Sequence, residues 1–382
     1  MSYTLPKEVC DYIENSHQEM LDLLEKLCQI PAPSGKEELR VEFCKKWFEN
    51  IGVKNLYVDD ALNVVVPYDC DGKDDIVVFM AHTDLVFPDI TPLPLKKDGD
   101  IWACPGITDD TACLVLLMMV IKYVVQNNLK SDKGILFVAN SCEEGLGNLK
   151  GTRKIMQDYA GRVTEFYTFD GGYKHLVNKC VGSHRYEVSF ETKGGHSFGA
   201  FGNENAIAVM SKLIADLYTC QVPKIDNSRT TYNVGIVEGG TSVNTIAQNA
   251  KMLYEYRSDN VECFALMEKY FNEMIEKHKQ NPNAKISVTL LGERPCEKGV
   301  DYDKLGQMSK EIAEICKKHS GFDCRFDSGS TDANIPMSLG VPAVCVGSYE
   351  GGGAHTREEW VKIPSLKTGY KITAETVLRF FK

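Results

Sequence analysis

Four short, almost wholly apolar runs constrain this chain more than any other feature: Leu62–Pro67, Ile76–Ala81, Gly134–Asn140 and Glu165–Phe169. Runs of this length without polar alternation suit strands buried on both faces, and such strands belong to parallel sheets covered by helices. The helix-like run Thr111–Val125 stands between the second and third of them, which gives the strand–helix–strand grammar of an α/β domain. That grammar returns near the C-terminus, with a helix over Tyr302–Ser320, a strand over Val341–Val346 and a last helix near Ala374–Phe381. Ser34 and Glu37, spaced as a capping box after the turn Pro31-Ala32-Pro33, predict a helix running to Phe48.

The middle third has another rhythm. Strands are predicted over Arg185–Thr192, Thr230–Val237, Lys251–Arg257 and Lys285–Leu291, with helices over Asn205–Cys220 and Val261–Lys279. The order strand, helix, strand, strand, helix, strand describes a small α+β unit of the ferredoxin-like, split βαβ kind. The expected organisation is a mainly parallel, helix-sandwiched α/β domain in two parts, 1–180 and 293–382, with the α+β unit inserted over 181–292.

Composition removes several classes of function. The 382 residues carry 43 Lys+Arg against 53 Asp+Glu, a net charge of −10 with no basic block, so neither nucleic acid nor an anionic membrane surface is an expected partner. The longest apolar run, Ala112 to Ile121, is too short to span a bilayer. The opening Met1-Ser2-Tyr3-Thr4-Leu5-Pro6 has no basic stretch leading into an apolar one, so no export signal is expected and a cytoplasmic location is. Fourteen cysteines are scattered from Cys10 to Cys345 without a CxxC pair, a pattern of free buried thiols. Any metal must therefore be held by histidine and carboxylates.

Those residue types stand where a parallel sheet would gather them. His82-Thr83-Asp84 follows the run Ile76–Ala81, Asp109-Asp110 opens the apolar helix, Glu143-Glu144 follows Gly134–Asn140, and Asp170 follows Phe169. Strand ends of a parallel sheet share one carboxyl edge, where ligand sites form. His355 follows the C-terminal strand and can reach the same edge. Each element alone has an ordinary explanation: Asp109 as a helix N-cap, acidic pairs as solvated turns, a histidine as a surface residue. Jointly they do not, because clustered carboxylates repel without a cation. Neutral imidazole and carboxylate oxygen are good zinc ligands, and two ions can share a bridging carboxylate.

In order along the chain, Ala81-His82-Thr83-Asp84, Gly106-Ile107-Thr108-Asp109-Asp110, Glu143-Glu144-Gly145, Phe169-Asp170-Gly171, Gly194-Gly195-His196-Ser197, Gly329-Ser330-Thr331-Asp332-Ala333-Asn334 and His355-Thr356 resemble the co-catalytic zinc peptidase family of tripeptidase T, glutamate carboxypeptidase and aminoacylase. A related aminopeptidase family places a larger insert between the first two motifs, which here lie 27 residues apart from His82 to Asp109. The resemblance implies that Asp109 bridges two divalent ions (zinc first, cobalt or manganese as alternatives), with His82 and Asp170 completing one site and Glu144 and His355 the other. It implies Asp84 as the residue orienting His82, Glu143 as general base, and a cis peptide bond between Asp109 and Asp110. It makes the inserted unit a lid and dimerisation domain of a homodimer. There His196 would reach the partner subunit's site and polarise the scissile carbonyl, Arg257 would clamp a substrate carboxylate, and Asn244 would make a carbonyl-side contact. Asp110-Thr111 stands where that family has Lys or Met-Lys, and Ala103-Cys104-Pro105 replaces a Gly-rich approach; neither removes a ligand.

The expected function is hydrolysis of the peptide bonds of short peptides by a metal-activated water. Deacylation of N-acyl amino acids is the alternative within the same chemistry. A non-catalytic metal- or peptide-binding protein is the alternative of another class, against which stands the placement of Glu143 beside ligand Glu144. A nucleotide- or dinucleotide-dependent enzyme lacks its GxGxxG or GxxxxGK[ST] loop.

Overall fold

The computed structural model describes residues 3–382, which form two compact units. The first comprises the chain up to Lys179 together with Glu297–Lys382; the second is Cys180–Cys296.

The first unit is built on an eight-stranded sheet. Across it the strands run Tyr57–Val58, Val64–Tyr68, Gly134–Asn140, Ile76–His82, Val163–Phe169, Ala343–Val346, His175–Cys180 and Arg325–Gly329. The four central strands are parallel, and Val64–Tyr68 and His175–Cys180 flank them antiparallel. Ile76–His82 and Gly134–Asn140 are buried at every residue, as their unbroken apolar character requires. Stacked rings of Phe79, Phe137 and Tyr167 fill the space beside them, with Phe380 edge-on to Phe79. The helix Cys113–Gln126 packs on Ile76–His82, and the helix Ile363–Leu378 packs on both it and the helix Tyr302–Ser320. The fold is thus the helix-covered, centrally parallel α/β arrangement expected.

Three local expectations need correction. The last helix begins at Ile363, with Pro364 in its first turn, not near Ala374. Nearly every face of it is buried, Ser365, Thr373 and Glu375 included, so no amphipathic stripe marks its start. The capping box does not form: the helix Glu38–Asn50 follows Glu37 without a side-chain cap, and Ser34 donates its hydroxyl elsewhere. Regular helix begins at Cys113, not Thr111, because Asp109 (φ −110°, ψ 91°) and Asp110 are non-helical inside the irregular segment Ile107–Ala112.

In the second unit four antiparallel strands are ordered Thr230–Gly239, Asn249–Ser258, Gly182–Thr192, Ala284–Arg294. That order, with the helices Ala206–Leu217 and Val261–Lys279, is the split βαβ arrangement. Asn205 and Asn260 cap the two helices, each side-chain oxygen accepting from two backbone N–H groups of the first turn. Alternate residues Val188, Phe190, Met252, Tyr254 and Tyr256 join Leu213, Met267 and Phe271 in one core. Among the described residues no helix is long and apolar enough to cross a membrane, and all fourteen cysteines are free.

Candidate metal centre

His82 is the last residue of its strand, and its ring is almost wholly buried. Nδ1 lies 3.1 Å from the backbone oxygen of Asp84 and 3.4 Å from its Oδ1, which leaves Nε2 facing the site. Asp84 is itself fully buried and does more than hold this ring. Its Oδ1 accepts the Glu143 N–H at 2.9 Å; its Oδ2 accepts the Glu144 N–H at 2.9 Å and the Ser34 hydroxyl at 2.6 Å. One carboxylate therefore fixes the ends of two neighbouring parallel strands against each other.

Asp109 stands at the middle of the centre. Its Oδ1 is 3.1 Å from His82 Nε2, and its Oδ2 is 3.1 Å from His355 Nε2, which in turn is 3.0 Å from Glu144 Oε1. The cap position of the following helix belongs to Ala112, so the ordinary explanation of Asp109 as an N-cap does not hold. The peptide bond between Asp109 and Asp110 is cis. Donor atoms of His82, Asp109 and Asp170 lie within 4.8 Å of one another, and so do those of Asp109, Glu144 and His355. A third group within that limit is His82, Glu143 and Glu144. All seven residues assigned from sequence to the centre are thus brought together.

The electrostatics suit cations. Burial and the nearby Asp109 charge push the Asp170 carboxyl well above the usual carboxylate range. Burial, aided by Asp109 and Glu143, pushes Glu144 up to about 7 although His355 pulls the other way. Asp109 and Glu144 hold the His355 imidazole up at about 10. Burial alone would lower His82, but Asp109 and Asp84 keep it well above its ordinary value. Five carboxylates, Asp84, Asp109, Glu143, Glu144 and Asp170, surround two imidazoles here, an excess of negative charge. Divalent ions would supply the opposing positive charge and leave the imidazoles neutral for coordination. Donors sharing one tetrahedral zinc ion at bonds of about 2.0–2.1 Å stand roughly 3.3 Å apart, close to the separations seen. The residues fit two metal ions.

Sequence reasoning missed two buried groups around the centre, Glu359 and Arg40, and quoted a third, Asp332, in a motif without giving it a role. Glu359 accepts from the backbone of the loop carrying Asp109. Arg40 donates through Nη1 to Thr83 O at 3.2 Å and to the Thr111 hydroxyl at 3.1 Å, bracing both ligand-bearing segments. Asp332 accepts from Asn140 Nδ2 at 2.7 Å and from the Thr152 hydroxyl, and burial with the Glu143 charge pushes it up to about 7. Glu359 has one signal, its place four residues after His355. Arg40 has none, since it lies in a charged helix that reads as solvated.

In the second unit the structure brings His196 and Asn244 together. Gly195–His196 pairs with Thr245–Ile246, and Ser197 donates its N–H to Asn244 O at 2.9 Å. His196 Nδ1 accepts the N–H groups of Phe198 and Gly199, both at 3.2 Å, so in the neutral ring the proton sits on Nε2. Arg257 lies apart from them on the sheet face opposite the helices, half-buried, with its guanidinium on Glu255.

Known proteins are similar to this chain in sequence and in fold. The chain is 24% identical over 375 residues to the uncharacterized protein YqjE of Bacillus subtilis, covering 92% of this chain and 96% of that one. It is 23% identical over 360 residues to succinyl-diaminopimelate desuccinylase of Corynebacterium glutamicum, covering 90% and 92%. Its fold is similar to that of a Staphylococcus aureus tripeptidase, with a TM-score of 0.76 at 20% identity over 94% of this chain and 97% of that one. The model of peptidase family M20/M25/M40 matches residues 78–379, a span that contains every residue of the metal centre from His82 to His355. The chain belongs to peptidase family M20/M25/M40.

Proposed function

We propose that this chain hydrolyses the peptide bond of short peptides at the centre built on Asp109, with Glu143 as the general base. Membership of the family and the paired His/Asp/Glu groups make it a metal-dependent exopeptidase or amidohydrolase acting on short peptides or acylated amino acids. The observation that carries the finer reading is the sharing of Asp109 between two histidines, one oxygen each. On this reading His82 and Asp170 complete one metal site, Glu144 and His355 the other. Two divalent ions held by these residues, zinc before cobalt or manganese, would supply Lewis acidity.

The chain's own residues do the rest. Asp84 holds Nδ1 of His82 and both N–H groups of the Glu143-Glu144 turn, so ligand and base keep one mutual position. Glu143 takes the proton of the attacking water and delivers it to the leaving amine. His196, protonated on Nε2 by the demand of its two backbone donors, is a hydrogen-bond donor toward the scissile carbonyl. Asn244 is a second contact on that side, and Arg257 clamps the substrate carboxylate on exchanging its Glu255 partner. The second unit is the lid and the homodimer interface. In support, its edge strand Thr230–Gly239 exposes Ile236 and Val237, and Phe198, Phe201 and Val243 stand almost fully in solvent.

N-acyl amino acid deacylation is the second reading, favoured by the similarity to a desuccinylase over most of both chains. A screen of di- and tripeptides beside N-acyl amino acids, with zinc, cobalt or manganese added, separates the two. Faster turnover of peptides is expected. Turnover confined to N-acyl amino acids establishes the second reading, and a metal-loaded protein inert toward both classes refutes both.

A further inference from the structure

The segment that delivers Asp109 belongs to no regular element. Asp109 and Asp110 have non-helical backbone angles, and Gly106 before them is left-handed at φ 74°. Its N–H groups therefore lack the ladder that a helix or strand would give them, and buried N–H groups need an acceptor. Glu359 is that acceptor. Its Oε2 takes the Gly106 N–H at 2.8 Å; its Oε1 takes the Thr108 N–H at 2.7 Å, the Thr108 hydroxyl, and the Asp109 N–H at 2.9 Å. Its own backbone oxygen accepts the Cys104 N–H at 3.1 Å, so side chain and main chain grip the same loop. Glu359 is wholly buried, and no lysine or arginine pairs with it among the described residues. The loop supplies its hydrogen-bond donors.

We infer that Glu359 is a positioning residue for the shared carboxylate of Asp109, and that through Asp109 it sets the affinity of both metal ions. The inference rests on the two-metal reading above. Asp109 offers Oδ1 on the His82 side and Oδ2 on the His355 side. A loop released at Asp109 N is thus felt at both ions, whereas a disturbance reaching only His355 would be felt at one. A carboxylate is required because all four groups that it meets are donors. A glutamine in its place turns an NH2 toward an N–H and loses one side of the grip.

Metal binding without substrate tests this. Metal-free wild type and Glu359→Gln are titrated with zinc against a competing chromophoric chelator, and the two binding steps are resolved. Outer partners of metal ligands typically change affinity by about 10–100-fold, and a weakening of that size is expected in both steps. Glu359→Asp, which keeps the charge and withdraws it by one methylene, should weaken both steps too, and it serves if the amide variant does not fold. Glu375→Gln removes another buried carboxylate, one bound to Lys318 and His319 away from the centre, and should leave zinc affinity where it was. Two wild-type steps unmoved in the folded Glu359 variants, or a loss confined to one step, overturn the inference alone. A wild type with fewer than two steps sinks the two-metal reading and this inference together.

Discussion

Glu143 and Glu144 are chemically alike and adjacent, and the proposed reading gives them different tasks: Asp84 pins both of their backbone N–H groups, and Glu144 lies against His355. Glu143→Gln keeps the volume and the hydrogen-bonding shape but cannot take a proton. It should retain both ions by elemental analysis while turnover falls by roughly two to four orders of magnitude, the usual deficit for a general acid–base group. Unchanged kcat in a metal-replete variant would remove Glu143 from the role of base. At this scale the sequence was legible wherever a residue ends an apolar strand, because strand direction alone carries His82, Glu144 and Asp170 to one edge. It was not legible for Glu359 and Arg40, whose work is done on backbone oxygens and N–H groups that leave no pattern in side-chain type. Ser34 shows the converse: the right spacing for a cap, spent instead on Asp84.

The helix Ile363–Leu378 packs against a turn that borders Asp170. Gly369 lies against the backbone of Ser348, so closely that a Cβ there would fall 1.5 Å from Ser348 O. Ser348 in turn donates its N–H to Gly171 O at 2.8 Å, next to Asp170. Gly369→Ala must push the helix or that turn aside. It should cost about 1–3 kcal/mol of stability, the usual range for overpacking, read as a lowered Tm of the metal-free protein. An unmoved Tm would mean that the helix docks less tightly than its burial implies. The same close packing explains why the first half of this helix escapes detection from sequence. An amphipathic stripe exists only where one face meets water, and Ser365, Gly369 and Thr373 are small groups chosen for fit. Tyr302–Ser320 keeps an exposed face with Lys317 and Lys318 in its last turn, and its limits were read without error.

As a whole molecule the protein interrupts one domain with another, and the proposed lid role ties the two to assembly. If His196 acts in the site of the partner subunit, a mixture of His196→Ala with Asp109→Ala chains contains one composite site with all its parts. Some activity should then return on subunit exchange, although each variant alone is deficient. No recovery after verified exchange would place His196 in its own chain's site or outside the reaction. The interruption also has a consequence for synthesis. The strand Ala343–Val346 lies between Val163–Phe169 and His175–Cys180, two strands that are near neighbours in sequence. When a ribosome has released the first 200 or so residues, that slot is still vacant, and two rows of backbone N–H and C=O groups flank it unpaired. More than a hundred further residues must emerge before the missing strand arrives, followed closely by His355 and Glu359. Nascent chains stalled in that interval should be the ones that chaperones hold longest, and metal added then should find only part of its ligand set.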